Sequence, residues 1–146
     1  MGRHPFQSWD RVSLFVDTRV WSLALRRDGP VAVPEVEALR EALLGAHPVV
    51  TTGIVVQELL QGFAGPRDRD RLVERLTALD LVHPDLDDHV EAAEIRHACR
   101  RRGVQIGTID ALLIQLSRRH DLVLLTTDGD VRSARAHVAF RLWSAV

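Results

Sequence analysis

A chain of 146 residues is long enough to bury a hydrophobic core without cross-links, and its single cysteine, Cys99, excludes an internal disulfide and every multi-cysteine zinc site. Its 19 basic residues are all arginine and stand against 20 acidic ones, so the formal net charge is −1 and any surface for nucleic acid has to be a local patch. No run approaches the ~18 apolar residues of a membrane span, and VSLFV, the first apolar run, is too short for a signal-peptide core; the expectation is a cytoplasmic protein with no membrane partner.

Residues 1–146 are expected to form one domain, with 1–11 as an N-terminal extension. From there, strand-length apolar runs alternate with helical patterns, which predicts βαβ units, an α/β class and a parallel sheet covered on both faces. The first strand, 12–16, runs straight into Asp17 before a helix over 18–28. A carboxylate at the end of a buried strand has to be paired, hydrated or bound to a cation. A helix over 34–46, a strand at 48–51 and a helix over 53–64 follow. In that helix Val55, Val56, Leu59, Leu60 and Phe63 share one face at ~100° per residue. Glu58 falls at the border of that face, where it either reaches into a cleft or lies solvated between Gln57 and Gln61. Helices over 68–79 and 86–102 flank a strand at 80–83, and Pro34, Pro48, Pro66 and Pro84 mark joints.

The next helix, 108–120, opens GTIDALLIQL. Thr108 reads as its N-cap, and Asp110 lies in the first turn, where the helix dipole favours a carboxylate by ~0.3–1 kcal/mol. This helix is apolar almost all round, so its N-terminus is expected to point into the interior or a crevice. A strand at 122–126, a helix over 130–136 and a strand at 138–142 complete the chain. Asp128 reads as a turn-former before Gly129 or as a second strand-end carboxylate. Asp130 reads as the N-cap of the last helix, with a supporting part in the acidic group as the alternative.

Open parallel sheets bind ligands at the carboxyl ends of their strands, where the strand order reverses. Asp17 and Asp128 share such a crevice if their strands are neighbours. With Glu58 and Asp110 they form a set of carboxylates that cannot converge unneutralised, since each raises the pKa of the others. Hard oxygen ligands without clustered His or Cys select Mg2+ or Mn2+, and such sites commonly support phosphoryl chemistry. Phosphatases, receiver domains and P-loops also belong to α/β folds, but they use a lysine near the phosphoryl group, and this chain has none. Glu94 and His97 have the E-x-x-H spacing of di-iron bundles without the second copy that site needs.

The segments VDTRVW, ELLQG and IGTIDALLIQLSRRHDLVLLTTDGDV resemble, in order and spacing, the PIN-domain ribonucleases and among them the VapC toxins of toxin–antitoxin pairs. The resemblance runs over roughly residues 12 to 142. It implies a three-layer α/β/α sandwich with strand order 3-2-1-4-5 and a Mg2+- or Mn2+-dependent endoribonuclease acting on RNA such as tRNA or rRNA. By resemblance the metal-binding and catalytic set falls on Asp17, Glu58, Asp110 and Asp128, with Thr18 and Thr126 as supporting hydroxyls. Arg19 stands where these toxins commonly carry serine, and Val131 where phenylalanine is usual. The family also implies a homodimer and a VapB-like antitoxin whose arginine enters the acidic pocket. Its groove is read on helices 34–46 and 53–64, at Val36, Leu39, Leu43, Val55 and Leu59, with ordinary core packing of these residues as the alternative. RNA needs flanking positive charge, for which Arg100, Arg101 and Arg102 are favoured over Arg67, Arg69 and Arg71. Trp21 and Trp143 read as packing residues rather than base-stacking ones. Two further readings stay open: a PIN-like module that only binds a partner, and a housekeeping nuclease without an antitoxin.

Overall fold

The structure, a computed structural model, describes residues 12–26, 28–29, 31–62 and 65–145. The expected extension at 1–11 and Phe63 lie outside them. Strands β1 (Leu14–Val16), β2 (Val49–Thr52), β3 (Asp80–Val82), β4 (Val123–Leu125) and β5 (Arg141–Leu142) form one sheet in the order β3-β2-β1-β4-β5. Every pairing is parallel. The order is the expected 3-2-1-4-5. Around the sheet lie α1 (Thr18–Ala24), α2 (Pro34–Leu43), α3 (Gly53–Gln61), α4 (Pro66–Thr77), α5 (Leu86–Arg101), α6 (Thr108–Arg119) and α7 (Gly129–Ala134).

The continuous apolar runs become the central strands because both faces of a parallel sheet are covered. Leu14, Phe15 and Val16 are at most 1 % exposed, and every residue of β2 and β4 is buried. The edge strands β3 and β5 are partly open. Chain ends of the elements differ from expectation for local reasons. Helix α2 stops at Leu43 rather than 46 because the chain turns through Gly45, at φ +113°, a conformation that favours glycine. Strand β5 begins only at Arg141, since the amides of His137 and Val138 still bond back to the Ala134 carbonyl after α7.

Helices α5 and α6 are locked together by polar groups. Asp85 and Asp88 form a reciprocal capping box at the start of α5. Asp88, 1 % exposed, also accepts from Gln115 Nε2 at 3.3 Å and from Arg119 of α6. This pairing orients α6, and the N-terminus of α6 carries Asp110. Among the described residues no helix is long and apolar enough to cross a membrane.

Candidate active site

Strands β1 and β4 are direct neighbours, with Val16 opposite Leu125, so the residues that follow them emerge side by side. Asp17 donates its amide to the Leu125 carbonyl at 3.0 Å. The Thr126 hydroxyl donates to Asp17 Oδ2 at 2.8 Å and accepts from the Asp128 amide at 3.0 Å. One buried threonine thus couples the two strand-end aspartates. Asp128 Oδ1 accepts from the amides of Asp130 at 2.8 Å and Val131 at 3.2 Å, which makes Asp128 the N-cap of α7. Asp130, expected in that role, lies exposed in the first turn, because the capping residue must be the last one in extended conformation. Likewise Gly107 occupies the N-cap position of α6, and Thr108 is its first helical residue. Glu58 is half-buried on α3 and accepts from Thr18 Oγ1 at 2.7 Å.

Asp17, Glu58, Asp110 and Asp128 line a single cavity of about 520 Å³, together with Thr18, Arg19 and Ser22 of α1 and the Gly107–Ile109 stretch. Thr126 buttresses it from behind, while Asp130, Arg100, Arg101 and Arg102 are not part of its wall. Arg19, noted in the sequence only as standing where these toxins commonly carry serine, takes a place in the cavity. Its Nη1 lies 3.3 Å from Asp128 Oδ2 with the side chain 60 % exposed, which makes it the one cation lining the cavity among the described residues. The readable signal was a lone positive charge two residues after the strand-end aspartate.

The electrostatics follow from that crowding. Burial pushes the Asp17 carboxyl above its ordinary range and the Asp128 charge adds to this, against the Thr126 hydrogen bond, the Arg19 amide and the Arg19 guanidinium. Asp110 is pushed from 3.8 up to about 6 by burial first, then by the charges of Asp17 and Asp128, with the Gly107 amide and Arg19 opposing. A pocket in which Asp17 and Asp110 resist ionising is short of positive charge. Its all-oxygen donor set fits a hard divalent cation. Among the described residues no three acidic, His or Cys side chains are closed into a ready-made cage. An ion that uses only one or two carboxylates and keeps several waters asks for no such cage.

Other expected surfaces shift. Val36, Leu39, Val55 and Leu59 are core residues, and of the expected antitoxin groove only Leu43, 50 % exposed, is open. The apolar faces of α2 and α3 are used up in the core, against α1 as well as the sheet, as periodicity alone could not say. Trp21 is buried and Trp143 half-buried, in keeping with packing roles. Arg101 and Arg102 border a shallow hollow beside His137, whereas Arg100 lines a different cavity.

The PIN domain model matches residues 14–136. Ribonuclease VapC23 of Mycobacterium tuberculosis (strain H37Rv) is 31% identical over 119 residues, covering 78% of this chain and 90% of that protein. Among solved structures, FitAcB from Neisseria gonorrhoeae superposes with a TM-score of 0.69 at 22% identity, over 90% of this chain and 97% of that one. VapBC2 from Rickettsia felis, bound to a DNA fragment from its promoter, gives 0.68 at 15% identity over 91% and 100%. Mycobacterium tuberculosis VapC20, a sarcin-ricin loop cleaving toxin, gives 0.62 at 21% identity over 88% and 98%. At those identities the structural likeness speaks for the fold alone. The model match and the 31% relative go further: this chain belongs to the PIN-domain family, among the VapC ribonucleases.

Proposed function

We propose that this chain is the ribonuclease toxin of a toxin–antitoxin pair. It is a Mg2+- or Mn2+-dependent endoribonuclease that hydrolyses phosphodiester bonds of RNA such as tRNA or rRNA. It acts in the cytoplasm as a homodimer and is neutralised by a VapB-like antitoxin. The observation that carries the reading is the convergence of Asp17, Glu58, Asp110 and Asp128, from four separate elements, on one cavity. The VapC23 relative supports the ribonuclease class, and the VapBC structures support the partner.

A divalent ion bound by these carboxylates supplies the charge neutralisation and Lewis acidity that phosphodiester hydrolysis needs. Asp17 and Asp128 serve as its anchors, and Glu58 and Asp110 complete the shell. Thr126 holds Asp17 through one oxygen, Thr18 holds Glu58, and the α7 amides hold Asp128. These bonds fix the carboxylates before substrate arrives, so little reorganisation is left for the reaction. Arg19, solvent-facing at the mouth, is placed to meet an incoming phosphate, and one carboxylate of the set orients the attacking water and takes its proton.

The test is purified protein on total cellular RNA, with Mg2+ or with chelator, and cut sites mapped. Cleavage is expected only with metal. Cleavage that persists unchanged in chelator overturns the reading. Expression of the chain alone should arrest growth, and co-expression of its cognate antitoxin should restore it; harmless expression of a soluble, metal-binding protein rejects the toxin role.

A further inference from the structure

Outside the wall of the acidic cavity, a pair of charges holds the segment that builds it. Glu35 stands in the first turn of α2 and is buried, at 7 % exposure, although Glu37 in the same turn faces solvent. Its Oε1 accepts from Arg132 Nη2 of α7 at 2.7 Å, across 97 positions of sequence. Its Oε2 is buried without a hydrogen-bond partner among the described residues. A buried carboxylate is costly unless it is paired, so Glu35 depends on the Arg132 guanidinium.

The same Arg132 nitrogen makes a second bond, donating to the Thr126 carbonyl at 3.3 Å. Among the described residues no backbone amide takes up that carbonyl, and buried carbonyls are nearly always paired. Thr126 is 2 % exposed, and its hydroxyl is the one that donates to Asp17 and accepts from the Asp128 amide. It is therefore gripped from both sides, by Arg132 at its carbonyl and by the two aspartates at its hydroxyl. The Arg132 amide also bonds the Asp128 carbonyl at 3.2 Å. A clasp that only tied α2 to α7 would need no contact with the strand exit. Neither Glu35 nor Arg132 lines the acidic cavity, so whatever they do there passes through Thr126 and Asp128.

We propose that Arg132 is a positioning residue for the metal-binding carboxylates. Seated on Glu35, its guanidinium fixes the Thr126 carbonyl, and this fixes the hydroxyl that sets Asp17 against Asp128. Residues that orient metal ligands from behind govern affinity much as the ligands themselves do. The proposal rests on the nuclease reading given above and adds the support that keeps the two anchors in register.

The test is calorimetric titration with Mn2+ below the melting transition. Arg132→Met keeps an unbranched, helix-forming side chain but makes neither bond. Glu35→Gln combined with Arg132→Met removes the stranded buried charge as well, so this variant folds even if the single one does not. Both should bind Mn2+ about tenfold more weakly than wild type, the loss expected for a group that supports metal ligands. Arg132→Lys should recover most of that affinity, because one nitrogen makes both bonds and an ammonium has one nitrogen to offer. In a Thr126→Val background, Arg132→Met should cost less than about twofold more, since the hydroxyl it positions is already gone. In chelator, the Asp128 amide, which donates to Thr126 Oγ1, should exchange its hydrogen faster in the combined variant than in wild type, relative to the amides of β1.

Wild-type Mn2+ affinity in the combined variant overturns the proposal, leaving the pair as a clasp between helices or tracing any loss in Arg132→Met to the stranded Glu35 charge. An Arg132→Met effect that adds in full to that of Thr126→Val also overturns it. A wild type that takes up no Mn2+ fails the nuclease reading itself, and the Asp128 exchange rate in chelator then still decides this proposal: unchanged exchange rejects it.

Discussion

Asparagine at position 110 should make the metal-free protein more stable and the metal-loaded protein relatively less so. The Asp110 carboxyl titrates at about 6 in the folded chain against 3.8 in the ordinary case, because it is buried beside Asp17 and Asp128. The folded state therefore holds the proton more tightly than the unfolded state does. Ionising Asp110 costs folding free energy that is absent below pH ~4 and complete above pH ~6–7. At ~1.36 kcal/mol per pH unit the upper value is ~3 kcal/mol, and screening of this partly exposed side chain reduces it to ~1–1.5 kcal/mol. Urea unfolding in chelator should show Asp110→Asn more stable than wild type by that amount at pH 7.5 and equal to it near pH 4. With Mn2+ at ~100 times its Kd, wild type should gain ~2.7 kcal/mol and the variant clearly less. A variant no more stable than wild type at pH 7.5 in chelator, or a gain that does not vary with pH, refutes the electrostatic reasoning.

Asp17→Asn should lower cleavage at least ~100-fold while leaving the circular dichroism spectrum unchanged, as removal of an electrostatic group at the reacting centre does; cleavage at the wild-type rate rejects its place in the site. Thr126→Val removes the hydroxyl that bridges Asp17 and the Asp128 amide, and calorimetric titration should show Mn2+ affinity down ~10–100-fold. Asp88 is held below its ordinary carboxyl range, since the Asp85 amide, Gln115 and Arg119 outweigh the effect of burial. Its stabilisation is present above pH ~4 and lost as the pH falls below that, so Asp88→Ala should cost ~1–3 kcal/mol at pH 7 and flatten the acid limb of the stability profile. Arg101→Ala with Arg102→Ala should leave the salt dependence of RNA binding as in wild type, because neither residue lines the acidic cavity.

The residues that sequence reasoning placed well share a physical property: their role is written in their immediate neighbours. Asp17 ends the run Leu14–Val16, and a carboxylate so placed has to end a strand and meet a partner. Asp110 stands at the head of an apolar helix, which has to be buried. The same logic set the sheet order only through resemblance, since pairing depends on contacts between residues far apart in the chain. The bond from Thr126 to Asp17 spans 109 positions, and nothing local announces it. Periodicity could not decide between groove and core on α2 and α3, because an apolar stripe looks the same whether the protein's own core or a partner covers it. Val36, Leu39, Val55 and Leu59 went to the core. Arginine runs were equally ambiguous. Arg100 and its two neighbours in sequence are splayed by helical geometry, and only Arg100 joins Arg96, one turn earlier, in lining one cavity.

Arg19 sets the charge balance of the acidic cavity and bears on how the cavity could be inhibited. Asp128 is held through Oδ1 by the α7 amides, which leaves Oδ2 facing the cavity, and there it meets the Arg19 guanidinium at 3.3 Å. That cation relieves some of the repulsion felt by Asp17 and Asp110. The relief is partial, since Asp110 still titrates at about 6, and the Arg19 side chain is 60 % exposed, so its hold is weakened by solvent. Any competitor that brings a better-placed positive charge can displace it. A divalent ion does so with twice the charge. A guanidinium presented by an antitoxin does so with paired hydrogen bonds that one exposed side chain at the cavity mouth lacks. The two competitors want the same carboxylate oxygens, so antitoxin binding and metal loading should be mutually exclusive, and each should raise the apparent dissociation constant of the other. Arg19→Ala would sharpen the contest by removing the resident cation, tightening Mn2+ and antitoxin alike in calorimetric titrations. If antitoxin affinity proves indifferent to Mn2+ in both wild type and Arg19→Ala, the inhibitor does not act by charge replacement in this cavity.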